Sequence, residues 1–117
     1  MDNNKFELVV CIVNAGFSQN VMAAARKAGA RGGTILRGRG SANPEAEEFF
    51  GLAIQPDKEL VLILASAADK DAILSAIYHD SGLTSEGQGI AFSLPVNRST
   101  TSLETEAAAA AAPVAAK

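Results

Sequence analysis

Cysteine, tryptophan and long apolar runs are scarce in this 117-residue chain. Its single cysteine, Cys11, cannot form an internal disulfide, which favours a reducing compartment. Tryptophan is absent and aromatic residues make up 5% of the chain, so little aromatic surface exists for stacking bases. Apolar runs such as residues 60–65 are far shorter than the ~20 residues of a membrane-spanning helix, and the first residues carry no apolar signal core. We therefore expect a cytoplasmic protein.

The formal charge of −3 argues against nucleic acid as a partner, because binding a phosphodiester backbone normally requires a basic surface. The basic residues nevertheless cluster between positions 26 and 39. Such a local excess in an acidic chain favours a small anionic ligand over a polymer. They are Arg26, Lys27, Arg31, Arg37 and Arg39.

The first half of the chain predicts a strand, a helix and a second strand. Residues 8–13 (LVVCIV) form an apolar run rich in β-branched side chains, which is typical of a strand buried on both faces. Ser18 is a candidate cap for a helix over residues 19–28, and Gly29 ends it. A strand restarts at residue 34 and runs into the segment RGRG at residues 37–40.

The second half predicts a strand, a helix and a last strand. Residues 49–54 are apolar, and residues 55–58 form a turn that leads into a strand over residues 59–65. Ser66 and Asp69 have capping-box spacing, which opens a second helix.

Gly82 is predicted to end that second helix, and residues 87–89 form a tight loop before the strand over residues 90–96. We expect one domain over residues 1–98. The alanine-rich residues 99–117 are expected to form a mobile tail, in which the run of alanines also allows a frayed helix.

The resulting order, βαββαβ, predicts an α+β fold of the ferredoxin-like type, an antiparallel sheet with two helices on one face. The strands are apolar on both sides, so the second face of the sheet must also be covered. In a domain of this size another copy of the chain is the simplest cover. We therefore predict a homo-oligomer.

Two glycine-containing turns are the candidate ligand-binding motifs. Arg37 and Arg39 offer forked donors that match phosphate oxygens, and Gly38 lets the backbone approach a ligand. Gly87 and Gly89 flank a turn whose N–H groups can surround phosphate oxygens. Each motif alone is also compatible with an ordinary solvated loop or hairpin. It is their occurrence together at strand ends that favours an anion site.

No set of catalytic residues is visible, and we expect a protein that is not an enzyme. His79 lies late in the second helix, where it complements the helix dipole. With one histidine and one cysteine, a zinc site lacks enough ligands.

Over residues 6–97 the sequence resembles the PII signalling family, in particular its PII-like branch with a shortened recognition loop. The segments that carry the resemblance are LVVCIVNAG, the Gly33-Thr34 strand entry, RGRG, KELVLILA and GQGIAFSLPV. The resemblance implies a homotrimer that binds adenine nucleotides in the clefts between subunits. It also implies that the loop after the second strand, the T-loop, docks on a partner, which in this family is often a membrane transport protein.

The resemblance also assigns roles to individual positions. Thr34 and Leu64 match positions that meet the adenine, and Arg98 takes the place of a C-terminal phosphate-binding arginine. The base of the T-loop is matched by Arg37, Gly38 and Arg39, and the phosphate-binding turn by Gly87, Gln88 and Gly89. The partner-docking loop comprises Gly40, Ser41, Pro44, Glu47 and Phe49.

One position departs from the family pattern. Ile90 stands where PII proteins carry a phosphate-binding lysine, and a lost charge-assisted contact of this kind is worth ~1.5–3 kcal/mol. This makes AMP, ADP or a cyclic nucleotide a stronger candidate ligand than ATP, unless the RGRG arginines compensate.

We therefore expect no required cofactor and an adenine nucleotide (ATP, ADP, AMP or cyclic) as regulatory ligand. The alternative is a trimeric binding module that senses a small anion or a metal, as in copper-tolerance proteins of similar fold, although histidine and cysteine are scarce. A phosphate-ester hydrolase on the same scaffold ranks last, because no base or nucleophile is in evidence.

Overall fold

The computed structural model describes residues 5–41, 57–81, 83 and 89–101. Within these residues the chain forms four strands and two helices in the predicted βαββαβ order, which confirms the α+β ferredoxin-like fold class. In chain order they are β1 (Phe6–Asn14), α1 (Ser18–Lys27), β2 (Thr34–Arg39), β3 (Asp57–Ser66), α2 (Lys70–Asp80) and β4 (Ile90–Val96).

The four strands form one antiparallel sheet in the order β2-β3-β1-β4. β1 and β3 are the central strands, with Val9 opposite Ile63, and β4 adds to the other side of β1, with Val10 opposite Phe92. β2 and β4 are therefore the two edges of the sheet.

The core lies between the sheet and the two helices. Alternate side chains of a strand face opposite sides, so every second residue of β1 and β3 points beneath the helices. The small side chains of Ala24 and Ala25 are buried on α1. The side chains at the centre of the core are Val9, Cys11, Val13, Val21, Val61, Ile63, Ile73 and Ile77.

Helix α1 does not begin as the sequence predicts. Ser18 is the first helical residue instead of the cap, the cap position is Phe17, and no side chain of the cap residue makes a capping hydrogen bond. The reason is that Glu59 of β3 accepts hydrogen bonds from the backbone N–H groups of Gly16 and Ser18. A carboxylate from another strand thus performs the task expected of the serine hydroxyl.

The end of α1 agrees with the prediction. Gly29 has φ of +117°, a conformation that favours glycine, and its N–H bonds to the carbonyl of Arg26. Arg26 and Lys27 lie in the last turn, where positive charge complements the helix dipole.

Helix α2 begins later than a Ser66 cap would place it. The Ser66 hydroxyl does accept a hydrogen bond from the N–H of Asp69, at 3.2 Å. However, the helix starts at Lys70 with Asp69 as the cap residue. The Ser-x-x-Asp spacing therefore forms a turn in front of the helix and not its first turn.

The face of the sheet opposite the helices, here called the helix-free face, is apolar and exposed. Side chains from all four strands project there; on β1, Leu8 and Ile12 are half-buried and Val10 between them is buried. The strand over residues 8–13 is thus fully covered on one face only within the protomer. The exposed members are Leu36 (47% exposed), Leu64 (42%), Ile90 (57%), Phe92 (38%) and Leu94 (49%).

Some predicted features lie outside the described residues. They are the apolar segment 49–54, the helix stop at Gly82, and residues 102–117 of the alanine-rich tail. The division into a domain over residues 1–98 and a tail stays a prediction.

Candidate functional site

The RGRG segment and Gly89, the described residue of the second glycine-containing motif, lie at the same end of the sheet, here called the RGRG end. β1 and β2 finish there, while β3 and β4 begin there. Arg39 is opposite Asp57, Asn14 is opposite Lys58, and β4 starts at Ile90. Sequence-distant polar residues are therefore collected at one end of the fold.

The two arginines of the RGRG segment share one side of β2. Arg37 is opposite Glu59, which in turn is opposite Val13, a residue buried beneath the helices. Because side chains alternate along a strand, Arg37 and Arg39 both project on the helix-covered side. Both are exposed at the edge strand, where guanidinium groups can meet an anionic ligand.

Glu59 is fixed at the start of helix α1. One of its carboxylate oxygens accepts the N–H of Gly16 at 3.0 Å and the N–H of Ser18 at 3.2 Å. The Ser18 hydroxyl also donates to this carboxylate; together with the two N–H groups and the positive charge of Arg37, it lowers the pKa of Glu59 below its usual range. Glu59 is thus a fixed negative charge beside Arg37.

Lys58 is a further cation at this end, and sequence reasoning missed it. It is opposite Gly38, on the helix-free side, and its ammonium group donates to Asn14 Oδ1 at 2.7 Å. No local sequence pattern marks Lys58, because its place beside the RGRG segment follows from the pairing of residues 37–39 with residues 57–59.

Gly89 leads into β4 with its backbone against β1. A Cβ atom at this position would collide with the carbonyl oxygen of Ile12 and the side chain of Val13, so only glycine fits. Its N–H donates to the carbonyl of Leu83 at 3.2 Å. The other two residues of the predicted phosphate turn, Gly87 and Gln88, lie outside the described residues.

The RGRG segment and Gly89 lie on opposite edges of the sheet, since one belongs to β2 and the other precedes β4. Three strand spacings of ~4.8 Å separate these edges, which is about 14 Å. One protomer therefore places half of the predicted anion site on each edge, and does not join the halves.

The predicted base contacts lie toward the other end of β2. Thr34 is opposite Leu62, and Leu64 follows two residues later on the same side of β3, so both project from the helix-free face. A cavity of about 400 Å³ opens beside Leu64, with Phe6 also apolar in its lining. Its polar lining comes from Arg31, Ser66, Asp69 and Thr101.

Arg98 is placed away from the RGRG segment within the protomer. It follows the end of β4, where Val96 is opposite Phe6 at the beginning of β1. The strands run between these two ends of the sheet, so the structure does not bring Arg98 to Arg37 or Arg39 of the same chain.

The predicted docking loop is described only at its start. Gly40 and Ser41 directly follow β2, with Gly40 half-buried and Ser41 exposed. The other predicted members, Pro44, Glu47 and Phe49, lie outside the described residues.

The described residues contain neither a metal-ligand cluster nor a membrane-spanning helix. Across residues 5–41, 57–81, 83 and 89–101 no group of three or more His, Cys, Asp or Glu side chains could hold a metal ion. In the same part of the chain, no helix has the length and apolar character needed to cross a bilayer.

Comparison with known proteins finds relatives by structure alone. No family model and no curated protein matches the sequence. The structure is similar to the PII protein of Arabidopsis thaliana bound to citrate, with a TM-score of 0.59 and 25% sequence identity over 86% of this chain and 85% of that one.

A second similar structure is that of a Thermus thermophilus protein described as a putative PII-like signalling protein. Its TM-score is 0.58 at 19% identity, over 82% of this chain and 91% of that one. At that identity the second similarity concerns the fold.

Proposed function

We propose that this chain, which belongs to the PII-like signalling proteins, forms a homotrimer and binds an adenine nucleotide in the clefts between its subunits. The bound nucleotide orders the segment after β2, and that segment then regulates a partner protein, for which a membrane transport protein is the leading candidate. The chain acts as a regulator and not as an enzyme.

The observation that carries this proposal is the division of the anion site between the two edges of the sheet. The RGRG segment lies on β2 and Gly89 lies before β4, on the opposite edge. If the β2 edge of one subunit faces the β4 edge of the next, the two halves meet in one cleft. A closed ring of subunits repeats this arrangement at every boundary.

The helix-free face supplies the reason for such a ring. Its exposed leucine, isoleucine and phenylalanine side chains form an apolar patch on the sheet. Contiguous apolar surface of this kind marks an interface in soluble proteins, because burying it gains roughly 25 cal/mol per Å². Packing three copies of this face together would cover the sheet and bring their edges side by side.

Within the cleft, the phosphate end of the nucleotide is assigned to Arg37 and Arg39, with Lys58 as an additional cation on the helix-free side of the sheet. Gly89 belongs to the turn that supplies backbone N–H groups. The base end is assigned to Thr34 and Leu64, where the neighbouring cavity offers a recess. The side chain of Ile90, in the position of the family's lysine, is apolar and adds no phosphate contact, which favours ligands with fewer charges.

The direct test is calorimetric titration of the full chain with ATP, ADP, AMP and cyclic dinucleotides. We expect saturable binding of at least one nucleotide at one site per subunit. Arg37→Ala should weaken this binding by tenfold or more, since a hydrogen bond to a charged group is worth ~1.5–3 kcal/mol. Arg26→Ala is the matched control: it removes an exposed arginine of α1 and should leave binding unchanged. No heat with any member of the panel would contradict the proposal.

A second candidate, sensing of a small carboxylate anion, is supported by the citrate bound to the Arabidopsis PII structure. Citrate is therefore added to the same panel. Citrate binding without nucleotide binding would favour this candidate. Turnover of a nucleotide that depends on Arg37 or Arg39 would instead contradict the non-catalytic assignment.

A further inference from the structure

Glu59 places a negative charge inside the proposed anion site. Its carboxylate lies on the helix-covered side of β3, directly opposite Arg37. Hydrogen bonds from the N–H groups of Gly16 and Ser18 hold it at the beginning of helix α1. Because these donors come from backbone of another element, the carboxylate cannot rotate away without leaving two N–H groups without an acceptor.

This arrangement has two electrostatic consequences. The positive end of α1 would otherwise attract an anionic ligand, but Glu59 already occupies it. The same carboxylate also interacts with the guanidinium group that is proposed to meet the phosphates. A ligand phosphate that approaches Arg37 therefore encounters attraction from Arg37 and repulsion from Glu59.

The repulsion depends on the charge of the ligand. A monophosphate and a triphosphate gain similar base contacts, but the triphosphate brings about two more negative charges to the same place. Asp57 contributes in the same direction, since it is exposed at the RGRG end opposite Arg39. Together with the absence of a cation at Ile90, the first residue of β4, these carboxylates oppose highly charged ligands.

We infer that Glu59 is a specificity-determining residue that makes the cleft prefer nucleotides of low charge, such as AMP, over ATP. This inference rests on the proposed nucleotide binding and specifies which nucleotides the site selects.

The test compares ATP and AMP binding in the full chain and in Glu59→Gln, at low salt. Glutamine keeps an oxygen that accepts the two N–H groups but removes the charge. We expect the ratio of ATP to AMP affinity to rise about fourfold, because each exposed unit-charge interaction changes affinity by roughly twofold and ATP carries about two more charges. The rise should shrink at high salt, where exposed charges are screened.

Two further variants distinguish a local charge effect from a general one. Glu7→Gln removes one negative charge at the opposite end of β1, and should leave the ratio unchanged. Asp57→Asn removes an exposed charge at the RGRG end, where no loss of folding is expected, and should raise the ratio by a smaller factor. It tests the inference even if Glu59→Gln folds poorly.

The outcomes separate this inference from the proposal on which it rests. If the unmodified chain binds neither ATP nor AMP, this inference fails; if it binds no nucleotide of the whole panel, the proposed function fails as well. If it binds nucleotide but Glu59→Gln and Asp57→Asn change ATP and AMP affinity by the same factor, or weaken ATP more, Glu59 has a structural role only and this inference alone is wrong.

Discussion

At the scale of single residues, Glu59 connects three elements through one carboxylate. It belongs to β3, caps the beginning of α1 and is opposite Arg37 of β2. The serine at the helix start is an ordinary capping residue, yet here its hydroxyl donates to Glu59. A helix start can therefore be misread from sequence when the capping group comes from 41 residues away.

The stabilisation by Glu59 should depend on pH. Hydrogen bonds lower the pKa of Glu59 in the folded chain. The contribution of Glu59 to the free energy of unfolding is therefore fully present above the ordinary carboxyl pKa of about 4.3, and it is lost as the pH falls through the pKa that Glu59 has in the folded chain. We expect Glu59→Ala to lower the free energy of unfolding at pH 7 by about 1 kcal/mol, as for other lost caps. Urea unfolding at pH 7 and at pH 3 measures this, and an equal difference at both values would contradict it.

Cys11 should be chemically silent in the folded protein. It is fully buried on β1, and burial raises the pKa of its thiol to about 11. The thiolate that reacts with disulfide reagents is then scarce and inaccessible at a mildly alkaline pH of about 8. We expect slow reaction with a colorimetric disulfide reagent in buffer and complete reaction within minutes in urea. Rapid reaction of the native protein would show that β1 is not covered as described.

At the scale of elements, the strands were predicted better than the helix starts. Residues 8–13, 59–65 and 90–96 are largely apolar, and each segment lies within an observed strand. The helix starts were displaced because both depend on contacts that local spacing does not contain. For α1 the contact is Glu59, and for α2 the Ser66 hydroxyl forms a turn in front of the helix.

Helix α2 should be held to the sheet by few side chains. Ile77 is fully buried in the core, whereas the adjacent Tyr78 is 53% exposed. We expect Ile77→Ala to lower the free energy of unfolding by about 2–5 kcal/mol, and Tyr78→Ala to change it by less than about 0.5 kcal/mol. Thermal and urea unfolding of the two variants measure this. Similar effects of both would mean that α2 packs in another orientation.

At the scale of the whole molecule, the sequence predicts which strand ends form the candidate site. It does not predict how those strand ends are arranged in the sheet. RGRG and the glycine turn were identified from the residues themselves. Their location on opposite edges depends on the order β2-β3-β1-β4, which follows from long-range pairing. Lys58 was missed for the same reason, since its importance arises only from being opposite Gly38.

A charge on the helix-free face should prevent assembly. Leu94 is 49% exposed there, so Leu94→Asp would bury a carboxylate in the proposed trimer interface, which is unfavourable without a partner charge. We expect a monomeric mass by light scattering and loss of nucleotide binding, with the circular dichroism spectrum retained.

Tyr78→Asp is the matched control for Leu94→Asp, because it adds the same charge at an exposed position of α2. It should remain trimeric. If Leu94→Asp also remains trimeric, the helix-free face is not the interface between subunits.

The placement of RGRG and Gly89 on opposite edges also has a genetic consequence. A chain with a substitution at Arg37 keeps an unaltered β4 edge, and a chain with a substitution at Gly89 keeps an unaltered RGRG segment. Refolding these two variants together would then give mixed assemblies. In some of their subunit interfaces, the unaltered RGRG segment of one variant faces the unaltered β4 edge of the other. The mixture would recover nucleotide binding that neither variant has, and this intersubunit complementation would not occur for a site contained in one chain.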